Sequence, residues 1–237
     1  DEVSNYAALG HGTRALNQRW SATGGLRYTH DRKVHTLFYQ RFNSGYIIAP
    51  PGTRTTRSWD AVTPKAGLEF RPADNVMWYL SASRGFRSGG FNGRPFYRDV
   101  VAAFDPEYLW SYELGVKITW FDRRLVANAA VFHNNYTDVQ LTSNRATSDG
   151  NVGVFTENGG KARIEGFELE LHARPVEGLD FTAGIGYIDA EFTHINPGVT
   201  ATLDTVFPKT PKWNASFSAQ YAAVLADFGT LTLRGDY

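Results

Sequence analysis

The chain has 237 residues, with 24 Lys and Arg balancing 24 Asp and Glu, so bulk electrostatics argues against a nucleic-acid partner. It has no cysteine, which excludes a disulfide framework and any thiolate metal site. No apolar run reaches the ~18 residues of a membrane helix, which excludes a helical membrane protein but not a membrane β-barrel, whose strands are only half apolar. Asp1-Glu2-Val3 does not read as a signal peptide, and the expectation is a piece of a longer protein.

Alternation of period two predicts about ten strands, near 3–9, 16–30, 58–70, 75–88, 108–120, 124–141, 162–174, 179–192, 211–223 and 229–237. Short connections are expected at 10–15, 71–74, 121–123, 175–178 and 224–228. Long ones, rich in Gly, Pro, Asn, Ser and Tyr, are expected at 31–57, 89–107, 142–161 and 193–210. Short turns at one end and long loops at the other are the layout of a membrane meander rather than of a Greek-key sandwich.

The two phases of each strand differ in chemistry. One carries Trp20, Ala22, Gly24, Leu26 and Tyr28; Val62, Pro64, Ala66, Leu68 and Phe70; and Val76, Trp78, Leu80 and Ala82. It continues as Tyr112, Leu114, Val116, Ile118 and Trp120, and none of these is charged. The opposite phase holds Arg19, Arg27, Lys65, Glu69, Glu113, Lys117, Glu168, Glu170, Arg174 and Arg234. Trp20, Tyr28, Trp78, Trp120, Tyr187, Trp213 and Tyr221 fall at strand ends, where aromatic girdles meet lipid headgroups. The fold expected is all-β: an antiparallel up-and-down transmembrane β-barrel segment, residues 1–237 forming one partial barrel domain with lipid outside and a charged lumen inside. A soluble sandwich or propeller is the competing architecture.

Four stretches go beyond pattern. Tyr79-Leu80-Ser81-Ala82-Ser83 leads into Arg84-Gly85-Phe86-Arg87-Ser88-Gly89-Gly90-Phe91-Asn92. This strand and loop resemble the signature of TonB-dependent receptors of Gram-negative outer membranes. Thr63–Leu68, Pro106–Lys117 and Asn158–Glu170 resemble the same barrel domain, in the family's order and spacing. The resemblance implies a 22-stranded barrel around an N-terminal plug, with a TonB complex of the inner membrane driving uptake of a scarce nutrient. That nutrient is most often a ferric siderophore; carbohydrate or cobalamin uptake is the variant, and a passive porin the rival. Plug, TonB box and closing strand have no counterpart in these residues, so the resemblance covers about half a barrel.

Candidate site residues follow. In the long loops, Tyr39, Arg41, Tyr46, Arg94, Phe96, Tyr97 and Arg98 combine aromatic rings with guanidinium groups. Recognition of an anionic, partly aromatic ferric chelate would use both, through cation–π contacts and charge-assisted hydrogen bonds. The bland reading is ordinary loop surface. Lys65, Glu69, Glu113, Lys117, Glu168, Glu170 and Arg174 would face the plug, or else pair with one another across strands. In the signature run, the glycines are expected to supply a bend and Arg87 to pair inside the barrel. His11, His30, His35, His133, His172 and His194 lack metal-ligand spacing, so no metal or cofactor is expected. Asp189, Glu191 and His194 are the best acid–base cluster for an enzyme, and solvated rim charges is the better reading of them.

Overall fold

A computed structural model describes residues 1–40, 47–92, 103–146 and 152–237. The chain opens with β1 (Glu2–Ala15), β2 (Trp20–Gln40), β3 (Ile47–Ala73) and β4 (Val76–Arg87), followed by a two-residue pair, β5 (Gly90–Phe91) and β6 (Ala103–Phe104). It continues through β7 (Glu107–Trp120) and β8 (Leu125–Thr137), a hairpin of β9 (Gln140–Ala146) and β10 (Val152–Asn158), then β11 (Gly160–Ala173) and β12 (Leu179–Ile195). It closes with β13 (Trp213–Val224) and β14 (Thr230–Asp236). Ten of these strands form one antiparallel sheet in the order β1-β2-β3-β4-β7-β8-β11-β12-β13-β14, an up-and-down meander.

Several predicted boundaries move. The connection expected at 10–15 is strand, and the turn lies at 16–19. There Asn17 Oδ1 accepts the amides of Arg19 (2.8 Å) and Trp20 (3.0 Å), and Leu16 N–H closes onto Trp20 O (2.8 Å). Most of the loop expected at 31–57 is paired strand, because β2 and β3 continue as a hairpin far beyond the apolar band. Pro50, Pro51 and Gly52 (φ 82°) sit near its register shifts, so residues that suggest a loop are absorbed at irregular pairing. The segment predicted at 124–141 breaks at Asp138 (φ 57°), and β9 leaves the main sheet to pair with β10. In the turn after β7, Phe121, Asp122 and Arg123 are all left-handed, a strained path for side chains larger than glycine.

Register carries the two phases across the whole sheet. Trp20, Phe70, Trp78, Val116, Ala129, Leu169, Ile185 and Ala215 are successive cross-strand partners on one face. Glu69, Tyr79, Gly115, Ala130, Glu168, Gly186 and Asn214 are partners on the other. The accessible surface is 15528 Å², against ~10,600 Å² for a compact protein of this mass. One sheet without a second protein layer accounts for the excess. Buried side chains gather instead beyond the apolar band, among them Val34, Trp59, Ala61, Val139, Ala162 and Phe192.

Candidate functional site

The inner face is assembled from small residues with a few long charged ones standing on them. Tyr79 lies flat over Gly115, its cross-strand partner; a methyl group there would sit 2.3 Å from the ring. Its hydroxyl donates to Glu113 Oε1 (2.5 Å), and the Lys117 ammonium stands 5.8 Å from its ring centroid. Phe132 covers Gly166 in the same way. A groove of about 540 Å³ runs along this wall, lined in part by Thr13, Lys65, Tyr79, Glu113 and Lys117.

The seven predicted inner-wall residues do share this face, but they do not neutralise one another. Glu69 pairs with Arg71 (3.0 Å) and Arg174 with Asp180 (2.7 Å), both outside the set. Glu170 takes only a hydrogen bond from Asn128 (3.3 Å). Among the described residues, Lys65, Glu113, Lys117, Glu168 and Glu170 enter no ion pair, which corrects the expectation of mutual pairing. The wall therefore presents charges of both signs, the ammonium groups of Lys65 and Lys117 and the carboxylates of Glu113, Glu168 and Glu170, to whatever fills the interior. Arg87 does pair on this side, with Glu107 (3.6 Å).

At the outer end the three later motif segments converge. Asn158 Nδ2 donates to the carbonyls of Asp105 (2.8 Å) and Asp138 (2.9 Å), while its Oδ1 accepts the Asp105 amide (2.7 Å). Gln140 Nε2 donates to Ser88 O (3.0 Å) and Asp105 O (3.1 Å), and its amide donates to Glu107 Oε2 (2.7 Å). Asn196 Nδ2 donates to Asn158 O (2.7 Å). This knot ties the exits of β4, β8 and β12 to the entries of β7 and β11. Beside it Phe207 stacks on Phe192 at 4.4 Å, fastening the long connection after β12.

The signature run folds onto Trp59. Lys33 Nζ donates to Gly89 O (2.6 Å), Trp59 Nε1 donates to Asp105 Oδ1 (3.3 Å), and Phe91 packs between Trp59 and His35. Asn92 exchanges two bonds with the Thr156 backbone (3.1 and 2.7 Å). Neither Gly89 nor Gly90 is left-handed. They permit contact: a methyl on Gly89 would meet Phe104 O at 2.3 Å and Trp59 at 2.5 Å, and one on Gly90 would meet the Phe104 ring at 2.7 Å. Burial holds the His35 imidazole below its ordinary value, and its Nδ1 lies 2.5 Å from Asp1 Oδ1.

Of the predicted loop residues, Arg41, Tyr46, Arg94, Phe96, Tyr97 and Arg98 lie outside the described residues, as does the side chain of Tyr39. Asp189 and Glu191 are each bound to a cation, Lys212 (2.9 Å) and Arg163 (2.6 Å), and form no acid–base pair with His194. Trp59, Asp105 and Gln140 were missed as organising residues. Their sequence signal is weak, because their partners lie in other loops.

A family profile described as TonB dependent receptor-like, beta-barrel, matches residues 1–237. The metal-pseudopaline receptor CntO of Pseudomonas aeruginosa is 30% identical over 179 residues, which cover 75% of this chain and 23% of that protein. The pesticin receptor of Yersinia enterocolitica is 28% identical over 189 residues, covering 79% and 26%. The chain thus spans about a quarter of the length of these relatives. The ferric yersiniabactin uptake receptor FyuA from Yersinia pestis superposes with a TM-score of 0.78 at 22% identity, over 98% of this chain and 33% of its own. With its continuous apolar outer face, its charged inner face and a family match along its whole length, the chain belongs to the TonB-dependent receptors and forms strands of their outer-membrane β-barrel.

Proposed function

We propose that the chain is part of the wall of a receptor that captures a scarce nutrient at the cell surface and imports it with energy from an inner-membrane TonB complex. The nutrient proposed is a metal held by an organic chelator, a ferric siderophore first. The observation that carries this reading is the family match along residues 1–237, with relatives named for siderophore and metal-chelate reception. The inner wall supports it. Charges of both signs without ion-pair partners, Lys65 and Lys117 beside Glu113, Glu168 and Glu170, suit a polar, charged face of an N-terminal plug, whereas a passive porin has no need of such a partner.

Capture is assigned to the long outer loops, with Tyr39, Arg41, Tyr46, Arg94, Phe96, Tyr97 and Arg98 as contacts for an anionic chelate. The test is uptake of labelled ferric siderophores by a strain lacking the full-length gene. Loss of one siderophore's uptake, restored by the gene and abolished without TonB, is the expected result. Unchanged iron uptake with loss of a carbohydrate or cobalamin would replace the substrate, and TonB-independent flux would make it a porin. In the same strain, Arg94→Ala and Tyr97→Ala are expected to weaken binding while the barrel still assembles.

A further inference from the structure

Backbone groups of successive residues in an antiparallel strand point to alternate neighbours. The Arg71 amide donates to Arg19 O beside β2 (2.7 Å), so odd-numbered residues of β3 bond to β2 and even-numbered ones face β4. The Thr119 amide of β7 donates to Asn75 O (2.8 Å), which by the same rule turns the even-numbered residues of β4 toward β3. The two strands pair through Phe70 with Trp78, Leu68 with Leu80 and Ala66 with Ala82. The next such pair would be Pro64 with Arg84. Pro64 has no N–H to give, and here β3 and β4 part; Lys65 and Ser83 are the last residues in register.

Above that point β4 follows β7 as far as Arg87, and Gly89 then takes the Lys33 ammonium on its carbonyl (2.6 Å) against Trp59. β3 instead stays with β2, in unbroken register up to Thr53. Among the described residues, no strand pairs with the β4 side of Arg54, Thr56, Ser58, Asp60 and Val62. Only Val62 O is met there, by the Arg84 guanidinium at a long 3.4 Å. Thr56, Ser58, Asp60 and Val62 are exposed, and the run 53–62 holds no Pro, no Gly and no register shift. The devices that usually blunt a sheet edge are therefore missing from its middle, and such an edge is completed by an added strand. Charge says which kind. Arg32, Lys33, Arg54 and Arg57 stand on this stretch of the hairpin, whereas its two carboxylates are occupied, Asp31 by Asn5 and Asp60 by Tyr28 (2.5 Å) and His30 (2.8 Å). Among the described residues Arg32 has no carboxylate partner, and Arg54 reaches Glu2 only at 3.2 Å in a pair open to water.

We propose that the free edge of β3 is a strand-addition site at the cell surface, and that it binds an extended, acidic peptide segment of another protein. Backbone bonds to Thr56, Ser58 and Asp60 supply the affinity, and carboxylates beside Arg54 and Arg32 supply the preference. The edge is independent of what the lumen transports, so failure of the uptake reading would leave it standing.

The test uses the full-length receptor in detergent micelles and three labelled peptides: alternating Thr and Glu, the same sequence with every amide N-methylated, and alternating Thr and Lys. Binding is read by fluorescence polarisation and by residue-resolved amide hydrogen exchange. In the free receptor the Thr56, Ser58 and Asp60 amides should exchange fast, while those of Thr55, Arg57 and Trp59, bonded to β2, exchange slowly. The Thr–Glu peptide should protect the first set, and the other two peptides should bind roughly tenfold more weakly or worse. Ser58→Pro removes an edge donor without touching a bond to β2, and should lose roughly tenfold in affinity, the scale of one or two backbone bonds. Ser58→Ala should bind as wild type. Arg54→Gln should weaken binding several-fold, a difference that added salt shrinks. Heat-modifiable migration on gels verifies that each variant has formed its barrel. Protection of Thr56, Ser58 and Asp60 in the free receptor would mean that the edge is already covered, and overturns the proposal. So does equal binding of the methylated or the Thr–Lys peptide, or wild-type affinity in Ser58→Pro.

Discussion

Between Val76 and Ala82, β4 turns one residue after another to opposite sides and touches little besides its two neighbouring strands; Leu80 keeps 54% of its surface exposed. A few residues later, at Gly89, the same chain has no room for a methyl group, and Trp59 beneath it keeps 6%. The wall and the outer knot are thus built on different terms. In the wall each residue answers to the medium on its own side, and backbone pairing supplies the cohesion. In the knot, side chains answer to one another, as in the core of a soluble protein. The wall should therefore be sensitive to polarity and indifferent to shape, and the knot the reverse.

Trp59 should show the largest shape effect. Trp59→Ala removes the platform under Gly89 and Phe91 and the hydrogen bond to Asp105, and should cost about 3–5 kcal/mol of local stability. Limited proteolysis of the full-length receptor in detergent should show accelerated cleavage near residues 89–105 while heat-modifiable migration of the barrel persists. Cleavage at the wild-type rate would mean that the signature run holds itself without Trp59.

The wall gives the matching polarity test. Leu80→Arg places a charge in the middle of the apolar band and should cost about 2–4 kcal/mol, measured by reversible denaturant unfolding in lipid. Ser81→Arg, one residue along on the groove side, should cost almost nothing. Equal costs would break the assignment of the two faces.

This contrast also explains what could be read from the sequence. Leu114, Val116 and Ile118 announce their strand because lipid demands an apolar side chain at each outward position, a rule that acts residue by residue. The same rule stops where water bathes both faces, so the upper halves of β2 and β3, with Arg54, Arg57 and the Pro50-Pro51-Gly52 run, were expected to be loop. The inner-wall set was legible as a face, though not its lack of mutual pairing, since Lys65 and Glu168 differ by the height and strand at which register places them. The knot was legible only as separate motif segments. Nothing local to Asp105 reveals that Asn158, 53 positions on, will bind its backbone on both sides.

Asn158 tests the knot at smaller scale. Asn158→Ala deletes three hydrogen bonds to the Asp105 and Asp138 backbone, and should cost about 2 kcal/mol, less than three isolated bonds because water replaces part of them. Amide hydrogen exchange should rise at Asp105, while Val116 and Leu169 in the wall stay protected. Exchange spreading into the wall would show that knot and wall unfold as one cooperative unit, and their separation would fail.

The belt between wall and knot should be the most forgiving of all. Arg163 bridges Glu191 (2.6 Å) and Glu165 (3.8 Å), yet its side chain keeps 43% of its surface exposed. Water and salt screen such pairs, and holding a long side chain in place costs entropy that offsets the attraction. Arg163→Gln should lower denaturant stability by about 0.5 kcal/mol, and raising the ionic strength should erase the difference. A loss as large as that of Asn158→Ala, insensitive to salt, would instead join Arg163 to the knot and move the boundary between the two regions down to the edge of the apolar band.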